Sequence, residues 1–364
     1  MKRKHLSFLS DPIDSSSFKL TVFKVNQTEI IDGLIKSQSN WYPVISGIPR
    51  ILTGELKNNL LKKNIKFYNR YKNKLTKSIK LEWQQQINSI ENLDKFLAHQ
   101  KKTGESFAWE WKNIYKENNF EKNNFLHFAG PFITETTLVG KTVIDIGCGS
   151  GRFTKWGAKL SAKVVFGTDL GESVEVAYQM TKTLNNVCIV QADIYNMPFN
   201  NVFDIAYSIG VLHHLPQPQK GFSLLPKVLK DKGKMLIWVY NRRNNNRAIY
   251  FYEPIRAILK YLPKPILLKL CYLPAFGVHL FNYFTTWLNF IEQYEMAKKI
   301  PFSYYANFPF NMKLNDAFDV LATPKSNYYY VEEIEKWFKS VKLKDIKSFE
   351  HPEAGITSAG KKII

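Results

Sequence analysis

Three glycines spaced two apart, Gly147, Gly149 and Gly151, interrupt an apolar run in "VIDIGCGSGRF", Val143 to Phe153. Glycines at the end of a strand let a ligand approach the backbone, and the free N–H groups of the helix that follows attract an anionic group. The dinucleotide pattern G-x-G-x-x-G needs a third glycine for close helix packing beside a pyrophosphate. That place holds Arg152 when counted from Gly147 and Thr154 when counted from Gly149. The pattern present is D-x-G-x-G-x-G, headed by Asp145, which favours a ligand without a pyrophosphate. Asp169 lies about 20 residues beyond the loop, the distance at which an acidic side chain meets ribose hydroxyls in a βαβ nucleoside site. Asp193 closes the next apolar run and can accept the exocyclic amino group of adenine, with Leu170 and Ile194 on either side of the ring. One such carboxylate is usually a strand-end cap; three at the ends of successive strands, the first running into a glycine loop, define a nucleoside site. His213 and His214 follow a fourth strand, and an imidazole there can take a proton near neutral pH. His213 is slightly favoured as a base, against the alternative that the pair only lines and hydrogen-bonds its loop.

The elements that must position these groups are legible as strands and helices in alternation after Gly140. "TVIDIG", "KVVFGTDL", "VCIVQAD", "FDIAYSIG" and, after a Lys232-Gly233 turn, "KMLIWVY" read as strands separated by helical stretches, which implies a parallel sheet covered on both faces. Upstream, residues 1–54 show short β elements, "FKLTVFKV" and "WYPVISGIPRIL", and read as a small separate module. Residues 55–136 are helical, with Leu56, Leu60, Ile65, Tyr68, Leu75 and Ile79 at helical spacing and a basic face from Lys57 to Lys80 opposed only by Glu55. The cluster "FAWEWKNIY", Phe107 to Tyr115, reads as core. The nucleoside-binding core spans 137–240. Residues 241–312 form an aromatic-rich helical insertion, broken by Pro254, Pro263, Pro265 and Pro274, and 313–364 complete the core with the helix "VEEIEKWFKSV" and two strand-like pieces.

Composition bounds the rest. The 364 residues suit an enzyme-sized core with an accessory module, and 45% hydrophobic content indicates a globular chain. A net charge of +20 favours an anionic partner such as nucleic acid, an acidic lipid surface or an acidic substrate, although the excess is mostly Lys in an Asn-rich chain. Cys148, Cys188 and Cys271 contain no C-x-x-C pair, which argues against a disulfide framework and for a cytoplasmic setting. The basic start has too short an apolar stretch for a secretory signal, and no run of about 18 uninterrupted apolar residues predicts a membrane crossing.

The four strand-end motifs resemble those of class I S-adenosylmethionine-dependent methyltransferases. "VIDIGCGSG" looks like their motif I, "GTDL" their ribose-binding loop, "QADIYNMPF" their adenine-binding motif and "FDIAYSIGVLHHLPQP" their fourth-strand motif, in order and correctly spaced over residues 140–240. The resemblance implies a Rossmann-like doubly wound α/β sheet of seven strands, the last antiparallel. It implies S-adenosyl-L-methionine as cofactor, held by Asp145, Gly147, Cys148, Gly149, Gly151, Arg152, Asp169, Leu170, Asp193, Ile194, Ser208 and Ile209. Cys148 serves there as a small side chain of the loop. "FAWEWKNIY", "WVY", "DVLATP" and "AGKK" are similar to segments of bacterial members with an insertion after the fifth strand, where a Trp- and Tyr-bearing helix packs over the cofactor. That places Phe107, Trp111 and Arg152 near the methionine carboxylate. The N-terminal module resembles the zinc ribbon of tRNA methyltransferase activators and of many bacterial methyltransferases, but Asp11, Asp14, Lys36 and Ser39 stand where the cysteines would be. No metal is expected on that set, so packing around Tyr42, Pro43, Ile48 and Pro49 must hold it.

The implied reaction is O- or N-methylation by in-line transfer, in which alignment can supply about 7 to 11 kcal/mol. The expected acceptor is a small molecule or glycan, free or lipid-linked, covered by a lid made from Arg247 to Pro301, whose "PILLKLCYLPAFGVHLF" part could rest on an anionic membrane surface. Asp316 and Asp319 either border the acceptor pocket or begin the last helix. An RNA methyltransferase and a non-catalytic partner of the same fold are the alternatives. Lys spread over helices, without Arg and aromatics interleaved, weighs against RNA, and the intact loop with Asp169 and Asp193 weighs against a scaffold. Oligomeric state is not legible.

Overall fold

The computed structural model describes residues 1–89, 93–243, 245–246, 248–300, 302–306, 308–352 and 355–363, with backbone alone at Tyr294, Lys298 and Lys299. Arg247 and Pro301, the bounds of the expected lid, lie outside the described residues.

The strands are β1 (Lys19–Asn26), β2 (Glu29–Lys36), β3 (Trp41–Ile45), β4 (Ile48–Ile51), β5 (Thr142–Ile146), β6 (Val164–Asp169), β7 (Val187–Ala192), β8 (Phe203–Ile209), β9 (Leu229–Tyr240), β10 (Lys344–Glu350) and β11 (Gly355–Lys361). Among the described residues they form a single sheet in the order β1-β2-β3-β4-β7-β6-β5-β8-β9-β11-β10. β7, β6, β5, β8 and β9 run parallel to one another, while β11 is antiparallel to both β9 and β10. Burial on both faces explains the nearly continuous apolar runs. Val143 and Val165 pack into one core with Ile189 and Tyr207, and Ile144, Ile146 and Phe166 into the other with Val190. The chain order reverses between β6-β5 and β8, which opens a crevice at the carboxyl ends of β5 and β8, where open α/β sheets bind ligands.

The N-terminal segment corrects the expectation of a separate module. β4 pairs in parallel with β7, Arg50 opposite Gln191 and Ile51 opposite Ala192, so β1–β4 extend the central sheet. Buried Arg50 seals the junction, donating from Nη1 to Gln191 Oε1 at 3.0 Å and pairing with Glu175. Where the ribbon resemblance would put metal ligands, Asp11 accepts from Ser37 and Tyr42, and Asp14 from Ser16 and Ser39. These carboxylate–hydroxyl pairs are not a donor set for structural zinc, which takes thiolates and imidazoles.

The helices are α1 (Gly54–Lys63), α2 (Ile65–Tyr71), α3 (Lys77–Asn88), α4 (Lys95–Asn113), α5 (Glu121–Ala129), α6 (Arg152–Lys159), α7 (Ser173–Thr181), α8 (Pro218–Leu224), α9 (Glu253–Leu259), α10 (Lys264–Phe290), α11 (Tyr294–Lys299), α12 (Phe310–Ala322) and α13 (Val331–Ser340). The spacing over Glu55–Lys80 mislocates one contact: the chain turns at Asn64, Ile65 is left exposed, and Phe67, Tyr68 and Tyr71 pack around Trp83 instead. The Lys232-Gly233 turn lies inside β9, as a shift in its pairing with β8.

The insertion prolines also act differently from expectation. Pro254 and Pro265 sit in first helical turns, where a missing N–H costs nothing. Pro274 lies inside α10, a helix of 27 residues. By length and composition α10 is apolar enough to cross a membrane, which corrects the reading that no such segment exists; interspersed Gly, His and Lys had hidden it from a search for uninterrupted runs.

Candidate active site

β5 delivers the chain into a loop whose geometry only glycine satisfies. Gly147 has φ +78° and a Cβ there would lie 2.3 Å from Val211 Cγ2; Gly149 has φ +52° and its Cβ would lie 2.9 Å from Trp111 Nε1. The loop is tied to β6: Gly147 and Cys148 donate their N–H groups to Thr168 O at 2.7 and 2.8 Å. Asp169 Oδ2 accepts from Gly149 N at 3.0 Å and Oδ1 from Gly171 N at 2.9 Å. Burial raises the Asp169 pKa, and those two N–H groups oppose the rise.

A cavity of about 740 Å³ runs from this loop to the insertion. Gly147, Cys148, Gly149, Arg152, Asp169, Leu170, Ile194, Ile209, His213 and His214 line it, as do Phe107 and Trp111 of α4. The "FAWEWKNIY" helix therefore closes over the glycine loop, and Arg152 lies 5.2 Å from the centre of the Trp111 ring.

Four expected cofactor residues do not reach the cavity wall. Asp145 is buried behind the loop, accepts from Thr154 Oγ1 at 2.6 Å, and is pushed up to about 7 by burial. Gly151 packs on α7, where its Cβ would lie 2.8 Å from Ala177 Cα. Ser208 donates to Ile146 O at 2.9 Å, pinning β8 to β5. Asp193 accepts from Tyr195 N at 3.1 Å, Asn196 Nδ2 at 3.2 Å and Gln100 Nε2, so its carboxylate organises the turn after β7 while its neighbours Ala192 and Ile194 face the cavity.

The residues missed by sequence reasoning come largely from α4. Gln100 Oε1 and Thr103 Oγ1 are buried without hydrogen-bond partners, and both residues line the cavity with Asp169, Leu170 and Ile194. Gly171 lets α4 approach closely: a Cβ there would lie 2.7 Å from Gly104 O, whereas one on Gly104 would meet Gly171 only at 3.6 Å.

At the other end stand His213 and His214, both buried. His213 has no partner on either ring nitrogen, and its ring centre lies 4.0 Å from that of Tyr240. Desolvation holds it well below the usual histidine range, with the neighbouring His214 and Arg256 adding to the effect. His214 Nδ1 lies 3.0 Å from Lys325 O; a carbonyl only accepts, so Nδ1 carries the proton and Nε2 keeps its lone pair. The wall continues with Tyr252, Glu253, Arg256 and Tyr328, where Arg256 pairs with Glu253 and donates to Ser326 Oγ at 2.9 Å, and Tyr328 donates to Glu253 at 3.0 Å. Asp316 and Asp319 belong to α12 and border the cavity; burial and Asp319 push Asp316 up to about 6.

The arrangement defines the class: a doubly wound α/β core with a nucleoside site at its switch point. Residues 144–237 match the family described as "Methyltransferase domain". Ubiquinone biosynthesis O-methyltransferase of Pseudomonas paraeruginosa is 28% identical over 171 residues, 44% of this chain and 70% of that protein. The Coxiella burnetii protein of the same name is 32% identical over 36% of this chain and 56% of its own length. A tRNA U34 carboxymethyltransferase of Pseudoalteromonas atlantica is 29% identical over 28% of this chain and 32% of its own. The chain thus spans from about a third to seven-tenths of the curated relatives it matches. Magnesium protoporphyrin IX methyltransferase of Synechocystis, solved with bound SAH, is similar at a TM-score of 0.44 and 13% identity, over 74% of this chain and all of that one.

The chain carries a methyltransferase domain over residues 144–237, and the group its strand-end motifs imply is S-adenosylmethionine. The residues fit this group: a glycine cradle that no side chain could replace, an acidic side chain at the end of β6, and unpartnered Gln100 Oε1 and Thr103 Oγ1 where an adenosine needs hydrogen-bond partners.

Proposed function

We propose that the chain methylates a hydroxyl or amine of a small molecule or glycan enclosed between the core and the insertion. The observation that carries this reading is the composition of the cavity's far wall. Tyr240, Tyr252 and Tyr328 contribute aromatic rings, and Asp316 and Asp319 contribute carboxylates, beside the Arg256–Glu253 pair. Ring faces together with carboxylates suit a polyhydroxylated or amino-bearing acceptor. They do not suit a phosphate backbone, so the local chemistry runs against RNA in a chain of net charge +20. The volume is within the range of small-ligand sites, about 300–1,000 Å³, with room for cofactor and acceptor together.

When bound, the cofactor supplies a sulfonium-activated methyl group for in-line displacement. Asp169, Gln100 and Thr103 hold its nucleoside end, and Arg152 beside Trp111 provides a positive charge for a carboxylate at the glycine loop. α4 and the insertion exclude water and hold the acceptor in line. His213, kept neutral by burial, is the group available to take a proton from an acceptor hydroxyl, and its lack of any protein partner leaves that role open. His214 orients beside it. Cys148, Cys188 and Cys271 are buried free thiols, which suits a reducing, cytoplasmic setting.

Incubating the protein with methyl-labelled S-adenosylmethionine and a native small-molecule extract, then a native RNA fraction, tests the reading. Label in a small-molecule or glycan product that His213→Ala reduces about 100-fold supports it. Label confined to RNA overturns it.

A further inference from the structure

The α10 helix is mostly apolar, and among the described residues only one side of it has a partner. Leu267, Cys271 and Ala275 pack with Leu314, Phe318 and Ala322 of α12, and Asn282 Nδ2 donates to Phe302 O at 2.9 Å. On the outside, Leu273 is 80% and Phe290 84% exposed, and Phe276, Leu280, Phe284 and Trp287 are each about half exposed. A helix that is hydrophobic all round is normally covered, and contiguous apolar surface of this kind marks an interaction site.

Charge decides among occupants. No Asp or Glu occurs from Pro254 to Ile291, while Lys260 and the exposed Lys269 do, in a chain of net charge +20; Lys264 is turned inward and donates to Glu105 O at 2.7 Å. Pairing this face with a second copy would bring like charges together, whereas an anionic lipid surface complements them. Crossing the membrane would strip α10 from α12 and unmake the Asn282–Phe302 bond. We propose that the outer face of α10 docks in the plane of an anionic bilayer surface, its aromatic and leucine side chains in the headgroup region and Lys260 and Lys269 against lipid phosphates. From Ile266 to Phe290 the face is about 36 Å long at 1.5 Å per residue, long enough for a stable in-plane contact. The same insertion forms part of the cavity wall through Phe302 and Tyr305, so docking would hold the acceptor site close to the membrane. The proposal does not depend on methyl transfer.

The test is co-sedimentation of the full chain with vesicles of phosphatidylglycerol and phosphatidylcholine, and with phosphatidylcholine alone. Binding to the anionic vesicles should be on the order of 100-fold tighter and fall with salt. The double variant Leu273→Glu/Phe290→Glu should lose binding on the order of 100-fold, with unchanged thermal unfolding and SAH affinity. Lys269→Glu, an exposed single change, should reduce anionic binding about tenfold without a folding risk. No binding to either vesicle overturns the proposal, as does a double variant that binds like the wild type. A concentration-dependent dimer in sedimentation velocity that the double variant abolishes also overturns it, and assigns the face to a second copy.

Discussion

The two ends of the cavity are built by different rules. At the cofactor end most groups are backbone N–H donors, glycines and carboxylates placed by strand ends and held by neighbours a few residues away or on the adjoining strand, with Gln100 and Thr103 added from α4. At the acceptor end the groups are side chains from the β8 loop, α9, α12 and the segment before α13, brought together from more than 100 residues of sequence separation, as in the 111 residues between His214 and Lys325. The first end needs geometry that side chains cannot adopt; the second needs a collection of side chains that only packing can assemble. A site with a common ligand at one end and a particular one at the other is expected to divide in this way, because function resides in the site grafted onto a fold.

The largest effect that would break this contrast is at Asp169. Asp169→Ala should weaken SAH binding about 100-fold by calorimetry, since it removes a ligand acceptor and releases Gly149 N together; unchanged binding would mean the cofactor end is not organised by strand-end carboxylates. Next is Gly171→Leu, whose side chain would meet Gly104 O and push α4 away, at a cost of about tenfold in SAH affinity, measured the same way. By contrast, Asp319→Asn at the acceptor end should leave SAH affinity within about twofold; a larger loss would show that the two ends are coupled.

Asp316→Asn sharpens the contrast in stability. A carboxyl whose folded pKa lies above its unfolded value contributes stability while protonated and loses it as pH rises through the folded value, here from 3.8 to about 6. Denaturant unfolding should therefore find the variant more stable than the parent above pH 6, by roughly 2 kcal/mol, with no such gain near pH 4. The histidines give the opposite sign. His213 and His214 are held below their unfolded value near 6.5, so their burial costs stability as pH falls below 6.5. Nitrogen-15 NMR should show both rings neutral from pH 6 to 8, and a titration midpoint near 6.5 would place them in solvent instead.

Much of the fold was legible because the strands are buried on both faces and read as short apolar runs between helices. β2 was missed for the converse reason: "EIIDGLIK" carries Asp32 and Gly33 in its middle and looks like a turn. Asp32 is tolerated there because Tyr71 donates to it at 2.7 Å and Ser46 N at 3.1 Å, both from distant segments. Gln100 and Thr103 were invisible for a similar reason, since nothing in "AHQKKTGESF" distinguishes a cavity-facing turn of helix from a solvated one.

Local spacing by itself determined the glycine loop, the acidic residues that follow it and the parallel core, because those features depend on φ angles and strand periodicity within a few residues. It also located the two histidines. Tertiary structure alone decided which of these groups face the cavity, turning Asp145, Gly151, Ser208 and Asp193 into supports and bringing α4 in as a wall. It alone joined β4 to β7, and it alone left the outer face of α10 bare among the described residues. Those outcomes depend on which surfaces meet across the chain, and a one-dimensional pattern records that a residue is apolar or polar without recording what it will touch.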